Sequence, residues 1–445
     1  AASGKKKELL KLLGRLVDVA DAKDRRAELR LEAAKVSDEL DATSDAIDQL
    51  NAILEDDAAH KDAALMLSRL LEKSGRDDDL AELLNKQIEL AQGRGDVSDE
   101  LSYRVRLGEV QETRIGDLEK AVASFSAILD RDAQHKDALT AVARIQEKRG
   151  EKAEAAKYYE RLLDLQSGEQ AIATAKHLAQ LFESLSDDDG VQRALERGLT
   201  IQEREEEIRT KLRQLYEKRQ NYKALSQLLL GDARASEEVP EKVRILRVVA
   251  DIHKKKLDDA QTAADLLQEA SELVPQDREL LLALCDAYSD SGRGRQAVEV
   301  LQKIVDSYGG RRSKEVAGIH HRLARAYLAD GERQKALAEL DTAFKIDPGA
   351  IAVLRDLGVL ALELADTDAE QKDAYIDRAG KTFKALLLQR LDEGAPITKA
   401  EVFYYLGEVS HRQGDDKKGI QMLERALDND KNLEKAKDLL AKLRK

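Results

Sequence analysis

The chain has 445 residues, a formal net charge of −13 and 36% charged residues, against only 4% aromatic residues and no tryptophan. The negative charge argues against a nucleic-acid duplex as the main partner, because duplex binding depends on neutralising phosphates with lysine and arginine. No apolar run approaches the roughly 20 residues that a membrane span needs. Helix-favouring residues dominate and strand-favouring residues are sparse, so the composition predicts an all-α fold.

The first residues carry leucines at helical spacing, including Leu9, Leu12, Leu13 and Leu16. If the chain is built from stacked helix pairs, this pattern predicts that residues 1–25 form the second helix of a pair whose first helix is absent. An edge of this kind exposes apolar surface in a stacked array, where each element packs only on its neighbours. We therefore expect either that the array continues beyond this edge or that another element covers it.

A twelve-residue segment occurs twice, as AILEDDAAHKDA at residues 52–63 and as AILDRDAQHKDA at residues 127–138, an offset of 127 − 52 = 75 residues. Self-similarity at a fixed period indicates a repeat architecture. In the repeat frame each copy spans the end of one helix, a turn and the start of the next helix. His60 and His135 are therefore predicted to be helix-entry residues and not parts of a binding site.

Regular spacing of small and large residues continues along the chain and is clearest near residues 321–348. There the frame consists of Leu323, Ala324, Tyr327, Gly331, Ala336, Leu340, Ala343 and Pro348. Its order and spacing resemble the tetratricopeptide repeat, a helix pair of 34 residues. The resemblance covers nearly all of residues 26–430. It implies a right-handed α-solenoid superhelix of about eleven helix pairs, followed by a C-terminal capping helix.

Small residues recur once in each first helix, where they are predicted to let the two helices of a pair approach closely. These positions are 108, 143, 179, 285, 324, 358 and 407. Glycines at 75, 150, 292, 331 and 414 are predicted to end first helices, because glycine adopts the left-handed conformation without a Cβ penalty. Pro275 and Pro348 are predicted to follow second helices, since proline cannot continue a helix.

These patterns divide the chain into predicted segments. The segments are an N-terminal edge at 1–25, repeats one to six at 26–235, repeats seven to nine at 236–348, an extended repeat at 349–398, a last repeat at 399–430 and a capping helix at 431–445. The extended repeat follows from the step of 407 − 358 = 49 residues between two small positions. A long helix is expected within it at about residues 373–391.

Motifs for catalysis, cofactors or metals do not emerge from the sequence. Cys285 occupies a small-residue position of the repeat, so it is predicted to be buried and inert. The seven histidines show no zinc-ligand spacing, and Gly292 to Ala297 fits a dinucleotide motif only loosely and without a preceding strand. We therefore predict no enzyme activity, no cofactor and no metal.

The resemblance implies that first helices line a concave groove that holds a protein or peptide. Carried onto this sequence, the predicted partner-binding residues are His321, Arg325, Leu328, Arg355, Leu362, Tyr404, Tyr405, Glu408, His411 and Arg412. The predicted function is a non-catalytic scaffold in a larger assembly, located in the cytoplasm, with a further contact through the uncapped N-terminal edge. No nucleic-acid partner and no membrane insertion are expected. The alternatives are a regulatory or sensor domain of a larger enzyme or signalling protein, and a nucleic-acid-binding helical repeat.

Overall fold

The computed structural model describes residues 2–444, and in that range it contains 24 α-helices and no strand. The prediction of an all-α chain is therefore confirmed. Two compact units divide the chain, the first comprising residues 1–215 and the second residues 216–445. The boundaries predicted from the sequence separate individual repeats, which this division into two units does not test, so they stay predictions.

Eleven helices and a short π-helical segment lie in the first unit. They are α1 (Ala2–Val19), α2 (Lys23–Glu39), α3 (Thr43–Asp56), α4 (Lys61–Ser74), α5 (Asp77–Arg94), α6 (Val97–Val110), the π segment (Gln111–Ile115), α7 (Leu118–Leu129), α8 (Lys136–Lys148), α9 (Lys152–Leu165), α10 (Gly168–Ser184) and α11 (Asp188–Ile201). Helix α12 (Glu206–Lys218) crosses the division between the units.

Twelve helices lie in the second unit. They are α13 (Tyr222–Ala235), α14 (Val239–Lys256), α15 (Ala260–Leu273), α16 (Arg278–Asp290), α17 (Gly294–Ser307), α18 (Lys314–Ala329), α19 (Arg333–Ile346), α20 (Ile351–Thr367), α21 (Lys372–Leu387), α22 (Lys399–Arg412), α23 (Asp416–Asn429) and α24 (Glu434–Leu443).

Within each unit, helices pack on their neighbours in chain order, which is the α-solenoid pattern. The first unit holds five pairs, from α2/α3 to α10/α11, and the second holds five more, from α14/α15 to α22/α23. Helices α12 and α13 occupy the place of an eleventh pair in the chain order. The predicted number of pairs and the capping helix α24 are therefore confirmed.

The small positions of the first helices are places of close approach. A Cβ atom added to Gly108 would lie 2.6 Å from the Phe125 ring, and one added to Gly358 would lie 2.7 Å from the Phe383 ring. Cys285 fills the same position in α16 and is fully buried. Aromatic rings of the second helices therefore use the space that the small residues leave, and the predicted close approach is confirmed.

The duplicated segment forms the same structure twice. His60 and His135 are the N-cap residues of α4 and α8, and their backbone angles agree closely, at φ −67°, ψ 98° and φ −66°, ψ 101°. Each imidazole Nδ1 accepts a hydrogen bond of 3.2 Å from the backbone N–H three residues later, at Ala63 and Ala138. The prediction that these histidines serve helix entry is confirmed.

The predicted ends of the helices also match the structure. All five predicted glycines adopt a left-handed conformation, with φ between +68° at Gly75 and +84° at Gly150. Helices α15 and α19 end at Leu273 and Ile346, two residues before the predicted prolines. Glycine and proline therefore mark the helix boundaries for the predicted reasons.

The extended repeat differs from its prediction in one respect. Helix α21 does not reach residue 391 but ends at Leu387, and an irregular connection follows up to Thr398. Backbone N–H groups of Leu388 and Gln389 bond three residues back, which tightens the last turn. Gly394 then takes φ +91°, a conformation that helices exclude. The extra length therefore lies mostly in the connection.

Candidate protein-interaction face

All ten predicted partner-binding residues lie on three first helices of the second unit. Helix α18 carries His321, Arg325 and Leu328, helix α20 carries Arg355 and Leu362, and helix α22 carries Tyr404, Tyr405, Glu408, His411 and Arg412. The three helices occupy equivalent positions in successive pairs. We call the surface formed by α14, α16, α18, α20 and α22 the first-helix face.

Arg325 is held by the preceding first helix. Its Nη2 donates to Asp290 Oδ1 (2.7 Å) and its Nη1 to Asp286 Oδ1 (3.3 Å). Arg322 donates to the other oxygen of Asp286 at 3.1 Å, and Lys254 of α14 pairs with Asp290 at 2.6 Å. The two aspartates of α16 therefore tie α14 and α18 together across this face.

A second cluster forms where α18 meets α20. His321 Nε2 lies 2.6 Å from Asp356 Oδ2, and Arg355 Nε donates to Asp356 Oδ1 at 2.6 Å. Burial alone would raise the pKa of Asp356, but the hydrogen bonds from His321 and Arg355 outweigh it and hold that pKa below its usual value. Arg355 also donates to the Pro396 carbonyl at 3.1 Å, which fastens the connection after α21.

A third cluster joins α20 to α22 through Arg412. Its guanidinium donates to Asp366 (2.5 Å), to Glu408 (2.6 Å) and to the Leu362 carbonyl (3.3 Å). Burial would lower the pKa of Arg412, but the carboxylates of Asp366 and Glu408 raise it above its usual value. Arg412 is therefore a fixed cation with most of its donors in use.

Two tyrosines beside this cluster form an aromatic corner. Tyr405 stacks on Phe383 at 4.7 Å between ring centroids, with 3° between the planes, and Tyr404 meets Tyr405 edge-on at 5.1 Å. Burial, together with the nearby Glu408 carboxylate, raises the pKa of Tyr404 to about 12. Both tyrosines are partly exposed, so each presents an edge on α22 while its ring packs inward.

The remaining predicted residues differ in how much surface they offer. Leu328 is 36% exposed on α18, whereas Leu362 is 4% exposed and lies in the core around α20. His411 Nδ1 lies 2.6 Å from Asp416 Oδ1, so its ring turns towards the start of α23. Leu328 is therefore the exposed apolar side chain of the set, and Leu362 contributes only its backbone carbonyl.

The sequence prediction missed the acidic half of this face and a cavity beside it. A cavity of about 510 Å³ lies between α14 and α16, with Val248, Lys254, Ala283 and Asp286 in its wall. The predicted partner-binding residues belong only to the three C-terminal repeats, so the set contains no position on α14 or α16. Asp286 directly follows the small residue at position 285, which is the signal that could have found it.

A Ser–His–Asp arrangement also escaped the sequence analysis, because its residues lie on or beside three different helices. Ser226 Oγ lies 2.8 Å from His253 Nε2, and His253 Nδ1 lies 3.1 Å from Asp259 Oδ2. A nucleophile must reach its substrate, yet Ser226 is only 2% exposed. Asp259 is also the N-cap of α15. The arrangement therefore fastens α13, α14 and α15 together.

Metal sites and membrane spans are both missing from the described part of the chain. Over residues 2–444, no group of three or more His, Cys, Asp or Glu side chains is arranged to hold a metal ion. Across the same range, no helix combines the length and the apolar character that crossing a membrane requires.

Taken together, this fold and this face define an α-helical repeat protein with extended polar surfaces on its first helices. Three family models, each described as tetratricopeptide repeat, match residues 114–170, 256–317 and 317–349. The chain contains tetratricopeptide repeats in these segments. Proteins of this family are in general non-catalytic protein-interaction scaffolds.

A curated relative matches part of the chain. The anaphase-promoting complex subunit 7 of Arabidopsis thaliana is 23% identical over 139 residues, which is 31% of this chain and 24% of that protein. This chain thus spans about a quarter of the length of that curated relative.

Three solved structures illustrate the range of similar folds. A chain of the APC/C hetero-tetramer Cut9-Hcn1 is 14% identical, with a TM-score of 0.35 over 94% of this chain and 90% of that one. YrrB, a TPR protein with an unusual peptide-binding site, is 17% identical, with a TM-score of 0.32 over 44% and 90%. BtubC from P. vanneervenii is 25% identical, with a TM-score of 0.34 over 46% and 87%.

Proposed function

We propose that this chain is a cytoplasmic scaffold that holds a protein or peptide partner along the first-helix face of the second unit, within a larger assembly. The observation that carries the proposal is a series of side-chain contacts across five successive first helices. The contacts are Lys254–Asp290, Asp290–Arg325, His321–Asp356 and Asp366–Arg412. Side chains that touch in this order form one continuous surface, which suits an extended partner.

The face combines fixed polar groups with a few apolar contact points. Val248 beside the cavity is 41% exposed and Leu328 on α18 is 36% exposed. Tyr404 adds an aromatic edge, and tyrosine and arginine are favoured anchors at protein interfaces. The polar groups are already held in place by their ion pairs. A partner would therefore order few side chains on binding, which lowers the entropic cost of association.

The decisive experiment places a photo-crosslinking amino acid at Leu328 and, as a control, at Leu388. Leu388 is 85% exposed in the connection after α21, so a non-specific encounter would label it more readily. The proposal expects a recurrent partner peptide at position 328, identified by mass spectrometry in cells that make the protein, and no such peptide at 388. Equal labelling at the two positions would contradict the proposal.

A double variant, with a charge reversal elsewhere as its control, tests the side-chain contacts of the face. Arg325→Glu with Tyr404→Ala removes two contact points, and we expect it to abolish partner capture while the helical content is unchanged. Arg293→Glu is the control, because Arg293, the N-cap residue of α17, also bridges two repeats through an ion pair of 2.6 Å with Asp265 of α15. Capture that survives the first change, or that is lost equally in the control, would refute the proposal.

A further inference from the structure

Helix α1 carries two distinct apolar faces. One face packs on α2, where Leu13 is 3% exposed and contacts a cluster that includes Leu29 and Ala33. Leu10 and Val17 are partly buried against the same cluster. This face holds α1 against α2. The rest of the α1 surface takes no part in that packing.

The other face is an exposed apolar stripe. Leu9, Leu12, Leu16 and Val19 are 37%, 53%, 39% and 73% exposed. Their spacing of three and four residues places them on one side of the helix. They are four of the eleven large apolar side chains exposed in the described residues, and the other seven are scattered over other elements. A contiguous exposed apolar patch marks an interaction site, whereas isolated exposed residues are ordinary.

Charges beside the stripe indicate what covers it. Glu8 and Arg15 are exposed and lie on the same edge of the stripe at helical geometry, and no described residue forms an ion pair with either. If a second α1 crosses the stripe antiparallel about Leu12, Leu9 meets Leu16 and Glu8 meets Arg15, twice by symmetry. In a parallel two-fold arrangement this charged edge would face the opposite edge of the partner's stripe, so Glu8 and Arg15 would not pair. The stripe is therefore self-complementary in the antiparallel direction only.

We propose that two copies of this chain associate through α1 in an antiparallel, two-fold symmetric contact centred on Leu12. An interface of this type uses the same patch on both subunits, which a self-complementary stripe satisfies. The inference concerns the first unit alone and does not depend on the partner proposed for the second.

Helix α24 does not offer a matching surface. Helix α24 covers α23 with Leu440, which is 7% exposed, and with the partly buried Leu433, Leu439 and Leu443. Its outward side chains are charged and exposed, at Lys435, Lys437, Asp438 and Lys442. Head-to-tail stacking of copies would press these charges against the apolar stripe of α1, which is costly without partners. The symmetric contact avoids this cost.

Sedimentation of the chain over a concentration series tests the association. We expect a concentration-dependent dimer, and Leu12→Glu should weaken it by about tenfold or more, because the change places two carboxylates together at the centre. Leu388→Glu is the control, since it alters a more exposed leucine outside the stripe. A monomer at every concentration, or equal weakening in both variants, would overturn the proposal.

Charge reversal distinguishes the antiparallel contact from other dimers. Glu8→Arg or Arg15→Glu alone should weaken the dimer by about two- to fivefold, the scale of an exposed ion pair. The double change restores the pairing with the signs exchanged, so the double variant should return to within about twofold of the parent. A double variant that is as weak as the sum of the single changes would refute the antiparallel register.

Crosslinking tests the same contact in the full natural protein. A Leu12→Cys variant treated with a short bis-maleimide reagent should form a crosslink between the introduced thiols of two copies, whereas Leu388→Cys should not. The native Cys285 is fully buried and does not compete. A Leu12→Cys variant that stays uncrosslinked, or that links only to a different protein or to another segment of its own chain, overturns the proposal.

Discussion

The close approach of α20 and α21 makes a specific prediction about Gly358. An added Cβ atom would lie 2.7 to 2.9 Å from three atoms of the Phe383 ring, inside any normal contact distance. The Phe383 ring is fully buried and stacked on Tyr405, so it has little room to retreat. We predict that Gly358→Ala destabilises this region, although alanine is the better helix former.

The magnitude follows from two opposing effects. Replacing glycine by alanine inside a helix stabilises it by about 0.5–1 kcal/mol. Overpacking a well-packed core costs about 1–3 kcal/mol. For Gly358→Ala the net result should be a loss of about 1–2 kcal/mol. Gly318→Ala in α18 is the control, because its nearest neighbour is the flexible Arg322 side chain at 3.9 Å. At Gly318 only the higher helix propensity of alanine applies, so Gly318→Ala should stabilise its helix.

Amide hydrogen exchange in α20 and α21 is the suitable assay, because repeat arrays open locally and a single global free energy of unfolding is poorly defined for them. Combining Gly358→Ala with Phe383→Leu should reveal a favourable coupling of about 1–2 kcal/mol, since the smaller side chain accommodates the new methyl group. If Gly358→Ala stabilises α20 as much as Gly318→Ala stabilises α18, the account of close packing is wrong.

Three further predictions test other parts of the structure. The pKa of Asp356 is depressed in the folded state, so its stabilising effect is present above the unfolded value of about 3.9 and is lost as the pH falls through the folded value. Asp356→Asn should therefore lower stability at pH 7, and urea titrations should show the difference shrinking below about pH 4. His135→Ala should lower the free energy of unfolding by about 0.5–1 kcal/mol through loss of the N-cap of α8, whereas His135→Asn should keep the cap. Thermal unfolding measures the difference, and equal losses of stability in the two variants would contradict the capping role. Burial raises the pKa of Cys285 to about 12, so Ellman's reagent at pH 8 should label no thiol in the native chain and one after denaturation; rapid native labelling would contradict its burial.

Local sequence rules predicted most of the fold because each rule acts over a few residues. A small residue, a glycine or a proline affects the structure within one helix pair. Close approaches such as Gly108 with Phe125 therefore follow from the repeat frame. Ala121 follows Gly108 by 121 − 108 = 13 residues, whereas Ala155 follows Ala143 by 155 − 143 = 12, so the sequence carries one extra residue here. The structure absorbs it in the π segment, where Gln111 and Glu112 turn inward and are each 6% exposed. Sequence spacing located this irregularity, but only the backbone shows its form.

The interaction face was less predictable because its contacts join residues far apart in the chain. Arg325 pairs with Asp286 and Asp290, 39 and 35 residues earlier, and the register between repeats decides which carboxylate it meets. The sequence identified Arg325 and Arg412 as surface cations but not that carboxylates already hold them. Likewise, Leu362 shares the frame of exposed positions, yet it is buried in the core around α20.

These pairs constrain the chemistry of the proposed partner. Ion pairs between partly exposed side chains contribute only about 0–1 kcal/mol each, so the series across the first-helix face is a weak source of stability. Its main physical effect is to neutralise the cations and fix their positions, as for Arg412 between Asp366 and Glu408. A strongly charged ligand would have to displace these carboxylates. An extended peptide with backbone hydrogen bonds and one or two apolar side chains would not, and its binding should depend only weakly on salt, because few unpaired charges meet across the contact.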